Sequence, residues 1–215
     1  MIVNRFYRLV LASSVLLVLM SLAPEPAAAA SAEEGVARIQ KAYEGVKDLK
    51  GDFTQKSTVK ELKRTDTYKG EFAIKSPMMK WEYTGDKPQV IYVTGDNIIV
   101  YQKMEKQAFK AKFDRATYGQ APIALLGGFG RITEEFDASW KHSKLILTPK
   151  KPMGNVVRIE ISLSDSPFPI ESLTVIDRLS NSIEIRLRNV KTNTAVKDKV
   201  FEFVPPQGVT VIEQE

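Results

Sequence analysis

Apolar and polar positions along this chain repeat with two different periods. Near its start, Val36, Ile39, Tyr43 and Val46 are spaced by three and four residues, which aligns them on one face of a helix. Ser31 and Glu34 just before them form a capping box, and Gly45 weakens the last turn. The pattern predicts one amphipathic helix with a charged back. Its apolar stripe needs a surface to lie against.

After Gly51 the period becomes two. Tyr68, Gly70, Phe72 and Ile74 alternate with Lys69, Glu71, Ala73 and Lys75. Met79, Trp81 and Tyr83 alternate with Lys80 and Glu82, and Phe109, Ala111 and Phe113 with Lys110 and Lys112. Val157, Ile159, Ile161 and Leu163 alternate with Arg158, Glu160 and Ser162, and Ile183, Ile185 and Leu187 with Glu184, Arg186 and Arg188. Each run predicts an antiparallel strand with one wet and one dry face. Gln89–Thr94 and Asn97–Gln102 flank Gly95-Asp96 and predict a hairpin. Further strands are expected at Asp52–Val59, Phe136–Lys141, Lys144–Thr148, Ile170–Asp177 and Lys199–Val204. About eleven or twelve short strands separated by turn residues argue for a meander, a sandwich or a barrel.

One segment fits neither period. Pro122-Ile123-Ala124-Leu125-Leu126 is short and wholly apolar, and Gly127-Gly128-Phe129-Gly130 follows it. Proline suits a helix N-terminus, so a short apolar helix on a glycine hinge is expected. Two helices are little to cover the apolar face of a large sheet. Either the sheet closes or folds on itself, or part of its face lines a cavity. Phe72, Trp81, Tyr83 and Phe109 would serve a core equally well. A cavity walled by Phe, Trp, Tyr, Met and Leu would bind something greasy.

The first thirty residues read differently. Arg5 and Arg8 precede an apolar run from Leu9 to Ala23, and Ala28-Ala29-Ala30 is a peptidase-type site. This predicts a secretory signal over residues 1–30, cleaved before Ser31. The run is short of the ~20 residues a membrane span needs. There is no cysteine among the 215 residues, so no lipid-anchoring cysteine, disulfide framework or cysteine metal site is expected. The expected address is the periplasm, with residues 31–215 forming one domain. Without Arg5, Arg8 and Glu25 the formal charge falls from +5 to +4. The lysines are scattered through the alternating strands, which favours a solvated face over a nucleic-acid site.

Catalytic patterns are sparse. His142 is the one histidine, and Trp140-Lys141-His142-Ser143 reads as a hairpin turn. A nucleophile elbow of the Gly-x-Ser-x-Gly type does not occur. Gly127–Gly130 is followed by no Lys-Ser or Lys-Thr, so it is no phosphate loop. No enzyme activity, metal or cofactor is expected.

Several segments carry a resemblance in order and spacing together. They are Phe53-Thr54-Gln55 after the first helix, Gly70-x-Phe72-x-Ile74-x-x-Pro77, Trp81-Glu82-Tyr83, Tyr101, Pro122–Leu126 and Leu147-Thr148-Pro149-Lys150. The chain's end, Phe201-x-Phe203-x-Pro205-Pro206-x-Gly208-Val209-x-Val211, completes the set. The chain after residue 30 resembles the LolA family of outer-membrane lipoprotein carriers over nearly its whole length. The resemblance implies a mainly β fold, an unclosed antiparallel β-barrel of about eleven strands with an N-terminal amphipathic helix. Short apolar helices would act as a lid over its concave face. It implies a cargo cavity, for which the candidates are Phe53, Phe72, Ile74, Met79, Trp81, Tyr83, Ile91, Phe109 and Leu173. The lid helix would comprise Pro122, Ile123, Leu125, Leu126 and Gly127.

The implied role is a monomeric periplasmic shuttle for lipoprotein acyl chains. Its donor would be an inner-membrane lipoprotein-releasing ABC transporter. Its acceptor would sit in the outer membrane and be LolB-like or of another kind. LolB is itself a lipoprotein, a role that a chain without cysteine does not fit. At ~0.8 kcal/mol per buried CH₂, acyl chains represent on the order of tens of kcal/mol of apolar burial, so they need shielding in water.

Two departures stand out. The family carries an arginine before the proline of the Gly-x-Phe segment, which hydrogen-bonds lid carbonyls and latches the empty cavity. Ser76 occupies that position here, and the matching carbonyls would be those of Leu126 and Gly127. Adjacent Lys75 should point to the opposite face. The Pro77–Trp81 stretch is one residue shorter than the family pattern, which makes Met79 the stand-in for an aromatic. Met78 and Met79 would make a softer wall. The Ser76 departure leaves room for a different cargo, such as a glycolipid, hopanoid or other free lipid. A lipid-sensing module is a third reading.

Overall fold

The computed structural model describes residues 31–113, 126 and 132–214. The expected signal segment (residues 1–30) and Pro122, Ile123, Leu125 and Gly127 of the expected lid helix lie outside the described residues.

Helix α1 spans Ala32–Glu44. The Ser31 side chain accepts a hydrogen bond from the Glu34 backbone N–H at 3.1 Å, which satisfies one of the free donors of the first turn. The predicted stripe is the one that packs. Val36 and Ile39 are buried, and Tyr43 and Val46 pack partly buried against the core.

The strands are β1 (Leu49–Val59), β2 (Arg64–Lys75), β3 (Met78–Thr84), β4 (Gln89–Thr94), β5 (Asn97–Gln102) and β6 (Gln107–Lys112). A short helix α2 (Ile132–Glu135) leads into β7 (Phe136–Lys141), β8 (Lys144–Pro149) and β9 (Val156–Leu163). The chain ends with β10 (Ile170–Asp177), β11 (Ser182–Thr192) and β12 (Thr210–Glu213). They form one 12-stranded sheet in the order β12-β6-β5-β4-β3-β2-β1-β11-β10-β9-β8-β7. Pairing is antiparallel except for β12, which runs parallel to β6. The outer strands β12 and β7 do not pair with each other, so the barrel is unclosed, as expected.

Alternation assigns the faces. Phe53, Phe72, Ile74, Met79, Trp81, Ile159, Ile161, Leu173, Ile185 and Leu187 point inward, to one core shared with α1. Three readings of the pattern need correction. Tyr68 was expected on the dry face of β2 but is exposed. Val157 was expected on the dry face, but a register shift opposite Ile176 and Asp177 turns Val156 inward and leaves Val157 exposed. A bulge of this kind inverts the alternation locally. The third concerns Lys199–Val204, which forms no strand. Asp198–Phe201 is instead a 3₁₀ turn. Its aromatics pack on the sheet's outer face rather than joining its ladder. Phe201 is fully buried, and the Phe203 ring lies 5.6 Å from Tyr92 and 5.4 Å from Tyr101.

Asp48 tethers this C-terminal segment. Its carboxylate accepts from the Thr194 N–H (2.8 Å), the Thr194 hydroxyl (2.9 Å) and the Ala195 N–H (2.9 Å). Burial works to raise its pKa. The hydrogen bonds outweigh that and hold the carboxyl below its usual range.

Candidate functional site

The inner face has two wings on either side of β1, and they are built differently. The wing from β8 to β11 is aliphatic. Leu145, Leu147, Ile159, Ile161, Leu173 and Ile185 are all fully buried in it. Helix α1 lies across its end. A Cβ on Gly35 would sit 3.1 Å from Trp140 and 3.5 Å from Leu163. The Arg38 guanidinium donates to the Ser164 carbonyl at 2.8 Å. The Tyr43 ring meets Phe168 edge-on at 5.6 Å.

The wing from β2 to β6 carries aromatics and a methionine. Register places them in rows across the strands. Phe72, Trp81, Ile91, Val100 and Phe109 face one another in sequence, and Ile74, Met79, Val93, Ile98 and Ala111 form the next row. Burial falls along the first row only. Phe72 and Trp81 are buried, while Ile91, Val100 and Phe109 are half-buried. In the second, Ile74, Met79, Val93 and Ile98 are all buried and Ala111 alone is half-buried. This wing is therefore an apolar surface that the described residues leave partly open.

An aromatic stack closes its inner end. The Phe53 ring stacks on Trp81 at 4.1 Å, and Phe72 lies 5.4 Å from Trp81 on the other side. Gly70 makes this possible. A Cβ there would come within 1.9 Å of the Glu82 carbonyl and 2.6 Å of the Phe53 ring, so no larger residue fits. Trp81 is fully buried, and its Nε1–H meets no hydrogen-bond partner at acceptable geometry. The neighbouring Tyr83 hydroxyl donates to Gln55 Oε1 at 2.9 Å instead. Burial pushes the Tyr83 pKa up to about 12, against a smaller opposing effect of Trp81 and Gln55. The Trp81 N–H is turned to the Tyr83 hydroxyl without the geometry of a full hydrogen bond, which is costly for a buried donor.

The sequence candidates fall as follows. Phe53, Phe72, Ile74, Met79, Trp81, Tyr83, Ile91 and Phe109 share the aromatic wing and the β1 seam beside it. Leu173 lies on the same face but in the aliphatic wing, between Ile161 and Ile185. Leu126 is helical and fully buried. Ser76 is exposed in the turn between β2 and β3. Lys75 points outward to an ion pair with Asp198. The Leu126 carbonyl does accept a hydrogen bond, but from the Tyr43 hydroxyl of α1 at 2.7 Å. Burial drives the Tyr43 pKa well above its usual value, so the hydroxyl stays a donor. Sequence reading placed Tyr43 on the apolar stripe and gave its hydroxyl no role. A tyrosine where the stripe needs only a hydrophobe was the available signal.

A cavity of about 830 Å³ opens on the outer face, between β1–β3 and the segment carrying Thr194–Lys197. Lys50, Asp52, Glu71, Lys80, Glu82 and Lys191 line it, and walls of mixed charge do not suit an acyl chain. Lys80 and Lys103 both pair with Glu82 there, at 2.8 and 2.6 Å. The open aromatic wing, not this hollow, is the apolar candidate.

Comparison with known proteins bears on this geometry. The family model described as outer membrane lipoprotein carrier protein LolA matches residues 44–204. An outer-membrane lipoprotein carrier protein of Alkalilimnicola ehrlichii is 30% identical over 210 residues, covering 94% of this chain and 95% of its own length. One from Neisseria meningitidis serogroup C is 29% identical over 190 residues, covering 85% and 89%. Among solved structures, an uncharacterized conserved protein from Thermus thermophilus superposes with a TM-score of 0.52 at 9% identity, covering 85% of this chain and 99% of that one. This last likeness concerns the fold alone.

Proposed function

The chain belongs to the LolA family of outer membrane lipoprotein carrier proteins, and on that premise we propose that its open aromatic wing holds lipoprotein acyl chains during transfer between two membranes. The observation that carries the reading is the burial gradient from Trp81 to Phe109 on the inner face of an unclosed sheet. A finished core would bury both ends of that row. The half-wet end loses apolar area to water until something greasy covers it.

The proposal has the protein exported with residues 1–30 removed. It works in the periplasm as a monomer, taking cargo from an inner-membrane ABC transporter and giving it to an outer-membrane acceptor. Met79 and the aromatic rings are the contact surface, and Met79 adapts to chains of different length. Tyr43 takes the latch role that Ser76 does not fill, through its bond to the Leu126 carbonyl. No bond in the cargo is made or broken.

Mass spectrometry of the protein purified from its own periplasm tests the reading. Acylated proteins should co-purify. Free glycolipid or hopanoid in their place would keep the fold's role as a carrier but replace the cargo. Recovery of no lipid of any kind, even with the transporter co-expressed, would contradict it.

A further inference from the structure

The two ends of the sheet present different turns. At one end lie Ser76-Pro77, Gly95-Asp96 and His142-Ser143, which are small or polar. At the other end, three hairpins each raise one large apolar side chain. Leu62 in the β1–β2 turn is 69% exposed, Leu179 in the β10–β11 turn 75%, and Met104 in the β5–β6 turn 68%.

Leu62 and Leu179 stand on neighbouring turns. Strands β1 and β11 are neighbours, and the Lys60 N–H donates to Asn181 Oδ1 at 3.0 Å, which joins the two turns. A third loop joins them through the Arg178 N–H, which donates to the Asn155 carbonyl at 3.0 Å. Both leucine turns are built alike. The Lys63 N–H returns to the Lys60 carbonyl (3.1 Å) and the Ser180 N–H to the Asp177 carbonyl (3.0 Å). Lys63 (φ 48°) and Ser180 (φ 61°) are left-handed. Each leucine therefore sits at the third position of its turn, where polar and small residues are usual and where it packs on nothing.

The charges around these turns are mostly positive. Lys60, Lys63, Lys151 and Arg178 have no ion-pair partner among the described residues, and Arg64 pairs with Asp66. The Asp177 carboxylate is folded onto Asn181 (2.8 and 2.9 Å), and Lys150 onto the Thr133 carbonyl (2.7 Å). Lys60, Lys63, Lys151 and Arg178 thus outnumber the carboxylates of Glu61 and Asp177 on these loops.

We propose that this end docks on the anionic surface of a phospholipid bilayer, with Leu62 and Leu179 entering the headgroup region and the surrounding cations meeting lipid phosphates. Apolar tips ringed by lysine and arginine fit that surface on both counts. A protein partner would be expected to meet a broader packed patch than two separate turn apices. Two leucines and a few cations make the contact reversible rather than an anchor. The contact needs no cargo, so it stands or falls separately from the carrier reading.

Flotation of the exported, purified protein with vesicles tests it. Vesicles of phosphatidylethanolamine containing phosphatidylglycerol should bind it, and phosphatidylcholine vesicles should bind it much less. High salt should release it, because screening shortens the reach of the cations. L62S/L179S should lose roughly tenfold or more in binding, with unchanged circular dichroism and co-purifying cargo. V204S, an equally exposed site on the C-terminal segment, should change nothing. Two results would overturn the proposal. One is the absence of wild-type binding to anionic vesicles. The other is full binding by L62S/L179S. If vesicles fail to bind but the double variant stops cargo transfer from the transporter, these turns serve a protein and the lipid assignment is wrong.

Discussion

The aliphatic wing under α1 and the aromatic wing beside it belong to one sheet and one face, yet only one of them is finished. Leu145, Ile161 and Leu173 have no exposed surface left. Ile91, Val100 and Phe109 occupy equivalent inward positions and remain half-buried. Composition follows this difference. Branched aliphatic side chains with few rotamers fill the closed wing and fix a single packing. Rings and a methionine stand among the aliphatics of the open one, where large faces and a flexible thioether tolerate changing neighbours. One wing therefore holds the fold together, and the other is free to hold something else.

The widest test of that contrast is paired truncation. Leu145→Ala should cost about 2–5 kcal/mol in urea unfolding, because the closed wing cannot collapse onto the gap. Phe109→Ala should cost less, about 1–2 kcal/mol, since part of its ring is already wet, and should lower cargo retention roughly tenfold. Equal stability losses would erase the distinction between the wings.

The seam between them gives a smaller effect. Asp48→Ala removes the acceptor for Thr194 and Ala195 and should cost roughly 1.5–3 kcal/mol near neutral pH. The native carboxyl is held below its usual range, so its contribution is present above ~3.9, the unfolded value. It is lost as pH falls through the lower folded value. Acid titrations of stability should therefore converge for native and variant proteins at low pH. A constant gap down to low pH would assign the loss to packing instead. Smaller still, Tyr43→Phe keeps the ring on Phe168 and deletes the bond to the Leu126 carbonyl. It should cost about 1 kcal/mol and speed hydrogen exchange around Leu126, while exchange in β9 and β10 stays unchanged.

Much of this architecture was legible in the residues. The spacing of three and four located α1, its cap and its buried stripe. The period of two, with the hairpin signal at Gly95-Asp96 and the further apolar runs, located the antiparallel strands and assigned most side chains to the correct face, while β12 was not expected. The failures share a cause. Alternation reports which side chains are dry, but not what dries them. Phe201 and Phe203 alternate as a strand does, but they are covered by packing on the outer face. Val157 was displaced by a bulge that a single strand's sequence does not encode. At the site, the aromatic residues were found as a set because they share a face. The division into a closed and an open wing depends on where α1 lies, which is a tertiary fact. Tyr43 was missed for the same reason, since its partner is a backbone carbonyl 83 residues away.

The central claim is that acyl chains lie against the open wing and not the closed one. Site-specific photo-crosslinking tests it most directly, with a benzophenone side chain at Phe109 in one variant and at Leu163, beside α1, in another. Leu163 packs part-buried against the core, and register opposite Val100 puts part-buried Phe109 on the same inner face, so both should accept the probe. Irradiation after cargo loading should join the Phe109 variant to acylated lipoprotein and leave the Leu163 variant unlinked. Crosslinks of equal yield at both positions, or at Leu163 alone, would contradict the account.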